Sequence, residues 1–137
     1  MKRILILATV VGLASAAAAS AHSTGATLVI RHQLHGCHSW SLNGDAFNSA
    51  QSGRFHAGTR LTVTDNDLMP HKLIQTSGPK VFYTGSPAMK RFGASVKVLF
   101  LQPGTYTFTS KVGEDYMKGV KTIGEDNVLK LRITVVS

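Results

Sequence analysis

Apolar and polar residues alternate most clearly at the C-terminal end of the chain. There Leu129, Leu131, Ile133 and Val135 alternate with mostly polar neighbours, the period of two expected of a strand with one wet face. The same period places Val96, Val98 and Phe100 on one face of the run 95–101, and Tyr106 and Phe108 on one face of 105–110. Shorter runs at 27–31, 60–64, 72–76 and 80–83 are rich in β-branched or aromatic residues, and Gly78-Pro79 and Pro103-Gly104 supply turns between runs. About seven short strands separated by turn signals predict an all-β fold, an antiparallel Greek-key β-sandwich. The pattern breaks from Gln33 to Gly53 into Gly, Asn, Ser, Asp and single aromatics, which predicts a long connection of the kind that often carries function. Ala88 to Gly93 reads as a loop or one helical turn, and Val112 to Asn127 has no clear period.

The first residues follow a different rule. Lys2 and Arg3 precede an apolar stretch from Ile4 to Ala19, and Ala19-Ser20-Ala21 offers a small-x-small cleavage site. Residues 1–21 are therefore expected to be a secretory signal peptide rather than a membrane anchor, because the apolar core is short and no stop-transfer pattern follows. Residues 22–137 form one domain, large enough for a real core. Removing Lys2 and Arg3 would lower the formal charge of +8 to +6. Such a cation excess suits an acidic partner. The scattered Lys and Arg, not interleaved with stacking aromatics, argue against nucleic acid.

Between the runs 60–64 and 72–76 lies Asp65-Asn66-Asp67-Leu68-Met69-Pro70, a turn that delivers His71 at the start of the next strand. Pro70 fixes its own φ and holds Met69 extended, so the imidazole is presented in a defined direction. A second concentration of chemistry lies at His32, His35, Cys37 and His38. Cys37 is the single cysteine, so no intramolecular disulfide can form; it is either a small buried hydrophobe, an intermolecular bridge or a metal thiolate. Thiolate, imidazole and thioether donors together select copper, with zinc as competitor. Cys37 and His38 would point opposite ways on a regular strand, so both can bind one ion only where the backbone leaves that geometry. His56 precedes a turn and reads as exposed. Trp40 reads as a core residue or a shield. No Ser-His-Asp motif in a recognisable context and no phosphate loop suggests a hydrolase.

The turn ending in His71 resembles the Asn-x-Asp-x-x-x-His segment of the cupredoxins, in which that histidine is the first copper ligand. Pro103-Gly104-Thr105-Tyr106-Thr107-Phe108 and the closing strand resemble the end of the same fold. The chain departs from the family where it matters most. Ser110 stands where blue copper proteins place their cysteine, and the loop from Lys111 to Met117 has no histidine. The resemblance also implies that the connection after the first strand lies at the metal end, so that Cys37 could replace the missing thiolate. The segments Gly36–Ser41, Asn66–Lys72 and Gly113–Tyr116 are similar to those of a group of small secreted cupredoxin-like proteins.

The ligands expected on this reading are Cys37, His38 and His71, with Met89 as a weak fourth. His32 and His35 are the other candidate imidazoles, and Met117 and Glu114 the other completing groups. The expected role is that of an exported copper-binding protein in one-electron transfer or copper handling, serving an acidic redox partner, more electron carrier than enzyme. Two rivals are a metal-free binding or structural module, which Ser110 favours, and a copper enzyme with an open metal position.

Overall fold

The structure is a computed structural model that describes residues 25–33, 37–113 and 128–137. The signal segment 1–21, His22, His35, Glu114, Tyr116, Met117 and the Cys37 thiol lie outside the described residues. Among the described residues ten strands follow one another: β1 Gly25–Gln33, β2 Cys37–Leu42, β3 Ala50–His56, β4 Arg60–Asn66, β5 His71–Ser77, β6 Phe82–Thr84, β7 Ala88–Met89, β8 Ser95–Leu99, β9 Gly104–Val112 and β10 Lys130–Val136. They form two five-stranded sheets, ordered β2-β1-β4-β8-β6 and β3-β10-β9-β5-β7.

The core lies between the sheets, and the period of two decides who enters it. Leu28 and Ile30 of β1, Leu61 and Val63 of β4, and Val96 and Val98 of β8 face it from one sheet. Leu73, Tyr106, Phe108, Leu131, Ile133 and Val135 face it from the other. Phe100 stands between them, edge-on to Phe55, Tyr106 and Phe108 at centroid distances of 5.6, 5.0 and 6.0 Å, the geometry aromatic quadrupoles favour. The Tyr106 hydroxyl donates to the Gln102 carbonyl at 2.6 Å and pins the turn before β9.

The sandwich expected from the alternation is present, and the strand pairing is richer than expected. Two pairs are parallel, β1 with β4 and β3 with β10, where an antiparallel architecture was predicted. A hydrophobic period fixes which face is buried but says nothing about strand direction. The connection predicted from Gln33 to Gly53 holds β2 and β3. Their sequences, Cys-His-Ser-Trp-Ser-Leu and Ala-Gln-Ser-Gly-Arg-Phe-His, hide the period because Ser39 and Ser41 on the second face of β2 are also buried. Ala88-Met89, predicted as loop or helical turn, is the short edge strand β7.

Candidate metal centre at one end of the sandwich

Chain direction gathers several elements at one end. The parallel register puts Ile30 opposite Asp65 and Arg31 opposite Asn66, so β1 and β4 finish together. The β1–β2 hairpin sets His32 opposite His38. After Asn66 the chain leaves one sheet, turns, and enters the other at His71, whose neighbours in register are Met89 on β7 and Val112 on β9.

Two aspartates build the corner. Asp65, fully buried, accepts from the backbone N–H of Asp67 at 3.0 Å and from that of His71 at 3.2 Å. It therefore holds both ends of the turn. Burial pushes its carboxyl up to about 6, against the opposing pull of these backbone donors and His71. Asp67 accepts through Oδ1 from the Met69 N–H at 3.1 Å. Its Oδ2 lies 2.6 Å from His38 Nδ1 and 3.1 Å from His71 Nε2. Burial works to raise this carboxyl, but hydrogen bonds from His38 and His71, with the Met69 N–H, hold it well below the usual carboxylate range.

An ionised carboxylate only accepts, so both ring nitrogens facing Asp67 carry protons. The other side of His71 meets Ser110 Oγ, 2.7 Å from Nδ1. A neutral His71 protonated at Nε2 accepts there from the serine hydroxyl. The result is a continuous line from the half-buried Ser110 through the buried His71 and Asp67 to His38. The two imidazoles stand edge to face, 4.8 Å between centroids, and neither is exposed. His32 completes the group from the solvent side: its ring centroid is 6.0 Å from that of His38, and its Nδ1 is 3.9 Å from Asp67 Oδ1. His32, His38 and Asp67 each offer a donor atom within 4.8 Å of the others.

The sequence-derived ligands divide accordingly. His38 and His71 are brought together. Met89, almost wholly buried, lies directly opposite His71 across the β5–β7 pair. Cys37 is the first residue of β2, next to His38 and opposite Gln33. His56 is exposed and bonds the carbonyl of Ser137; Trp40 is fully buried in the core.

Sequence reasoning missed Asp67, because an aspartate in a turn is explained by the turn. The available signal was its position four residues before His71. It also treated Ser110 only as a lost cysteine, whereas the serine hydroxyl takes the Nδ1 side of His71.

The donor chemistry fits a transition-metal ion. Two buried imidazoles and a carboxylate with a thioether alongside are groups that bind copper or zinc. A metal would replace the protons now shared with Asp67. Ser110 could then accept from His71 Nδ1–H, because a hydroxyl serves as donor or acceptor.

No protein family model and no curated relative matches the chain. Among solved structures it is similar to a purple cupredoxin from Nitrosopumilus maritimus, with 17% identity, 80% of this chain and 98% of that one covered, and a TM-score of 0.47. It is also similar to a Cu(I) amicyanin variant, with 13% identity, 79% and 80% covered, and a TM-score of 0.42. A reduced amicyanin variant gives 14% identity, 79% and 80% covered, and a TM-score of 0.43. With its two five-stranded sheets enclosing one core, the chain folds as a β-sandwich.

Proposed function

We propose that the protein is an exported copper-binding protein that holds one ion at the His38–His71 end of the sandwich and serves one-electron transfer or copper handling. The observation that carries this reading is the pair of fully buried imidazoles, 4.8 Å apart and sharing one carboxylate. A core has no use for two solvent-free imidazoles unless their polar atoms are engaged. Met89, opposite His71 in register, is one proposed sulfur donor, and Cys37, the first residue of β2, is the other where the backbone leaves strand geometry at that end. When bound, copper would supply a reversible one-electron couple, and strands from both sheets would hold the donors rigidly around it.

The surface at this end suits an acidic partner. Lys72 and Lys111 are direct neighbours across the β5–β7-bearing sheet, paired between β5 and β9. Like charges placed opposite each other cost stability, a cost an anionic partner would relieve while gaining speed of encounter. Export is proposed on the signal-like residues 1–21.

The test is an optical titration of the reduced mature chain with Cu(II), beside a Cys37→Ala variant. An intense visible band at one equivalent, absent from the variant, is expected. Stoichiometric binding without that band removes Cys37 from the ligand set. Absence of stoichiometric binding overturns the copper reading.

A further inference from the structure

The Asp67 side of the histidine pair carries nitrogen and oxygen donors enough for an ion without any sulfur. We propose that this end also binds zinc(II), through His32, His38 and Asp67, whose donor atoms all lie within 4.8 Å of one another. The inference rests on the reading that the His38–His71 end holds a metal. It names a different ion and a different donor set.

The argument is geometric. Zinc bound by imidazole and carboxylate at about 2.0–2.1 Å in a tetrahedron sets its donors roughly 3.3 Å apart. Here Asp67 Oδ2 stands 2.6 Å from His38 Nδ1 and 3.1 Å from His71 Nε2, and Asp67 Oδ1 stands 3.9 Å from His32 Nδ1. With all three donors of His32, His38 and Asp67 inside 4.8 Å of one another, the tetrahedral spacing is at most about 1.5 Å away for any pair. The backbone positions are already fixed. Asp65 clamps the turn by accepting from the N–H groups of Asp67 and His71, the β1–β2 register sets His32 opposite His38, and Ser110 holds the far side of the His71 ring.

Two of the three donors are buried, whereas the His32 side chain is half exposed. An ion therefore has an entry side, and His32 is the group that closes behind it. Zinc has no geometric preference from d-electrons and accepts such an N2O set readily. Copper would keep its affinity for the sulfur side of the same pair. The two ions would then compete for His38 while drawing their other donors from different sides of it.

The experiment measures zinc(II) affinity by competition with a chromogenic chelator for the mature protein and for Asp67→Asn, His32→Ala, Cys37→Ala and Met89→Leu. Circular dichroism of each metal-free variant and the thermal midpoint with and without zinc are recorded alongside. One zinc per chain is expected, with a higher midpoint in its presence. Affinity should fall at least about tenfold in Asp67→Asn and in His32→Ala, since even indirect partners of a metal ligand are worth that much. It should be unchanged in Cys37→Ala and Met89→Leu. Because His32 is at the surface, His32→Ala stays informative even where Asp67→Asn fails to fold. Wild-type affinity in His32→Ala, or a loss confined to Cys37→Ala, overturns the inference. Zinc binding with this pattern in a protein that takes no copper would support the inference while the copper reading fails. No binding of either ion overturns both.

Discussion

Replacing Asp67 by asparagine removes the charge that joins the two imidazoles while leaving the turn its side-chain carbonyl. Wild-type Asp67 accepts from His38 at 2.6 Å and from His71 at 3.1 Å, and all three residues are at most 1% exposed, so water cannot substitute. Hydrogen bonds to a charged acceptor contribute about 1.5–3 kcal/mol each. Both imidazoles bond Oδ2 and the Met69 N–H bonds Oδ1, so the NH2 group of an asparagine must face N–H donors on one side or the other. The net loss should be about 2.5–6 kcal/mol, one bond to a charged acceptor plus the penalty of an unsatisfied buried donor. With a urea slope of about 2 kcal/mol per molar, the midpoint should fall by about 1–3 M. The assay is equilibrium urea unfolding of the metal-free protein at pH 7, followed by fluorescence of Trp40, the single tryptophan, fully buried two residues from His38. The sign of the pH dependence adds a second constraint. The folded-state pKa of Asp67 lies below its unfolded value of 3.8, so its contribution is present above that pH and is lost as the pH falls through the lower folded value. The gap between wild type and Asp67→Asn should therefore narrow in strong acid. An unchanged midpoint at pH 7 would refute the reasoning, because the buried imidazoles would then not depend on the carboxylate.

Asp65 should behave in the opposite sense. Its carboxyl is raised by burial from 3.8 to about 6, so the folded state holds its proton longer and stability falls as pH rises across that window. Thermal midpoints of wild type and Asp65→Asn measured from pH 3 to 7 should diverge in this way, and parallel profiles would contradict it. Ser110→Ala leaves His71 Nδ1 without its 2.7 Å partner and should cost about 1–2 kcal/mol in urea unfolding, with no change expected if the hydroxyl merely fills space. Gly78 has φ +103°, and a Cβ there would stand 2.5 Å from the Thr105 carbonyl oxygen. Gly78→Ala should therefore destabilise by more than about 2 kcal/mol, and a midpoint within error of wild type would show that the turn after β5 can relax.

Much of the sandwich was legible because β4, β9 and β10 bury nearly every second residue, and Gly or Pro turns introduce β4 and β9. Strands β2 and β3 were not, because serines and a glutamine fill positions where an apolar residue would announce a strand. Gln51 is nonetheless engaged, donating to the carbonyls of Trp40 and Ala46. Parallel pairing was invisible for a simpler reason: side-chain alternation is the same in either direction. His71 stood out in the sequence because proline and a run of turn formers leave it a defined exit. His38 stood out by its company rather than by any period. Asp67 escaped notice since turn-forming and hydrogen-bonding to imidazole call for the same residue, and only the fold shows that it does both.

The most direct test of the central claim is the stoichiometry of Cu(II) binding to the mature protein and to the double variant His38→Ala/His71→Ala, measured by competition with a chromogenic chelator. One tightly held copper ion per wild-type chain, and none in a double variant that still folds, is the predicted result. No stoichiometric copper in the wild type, or equal binding by the double variant, would contradict the account.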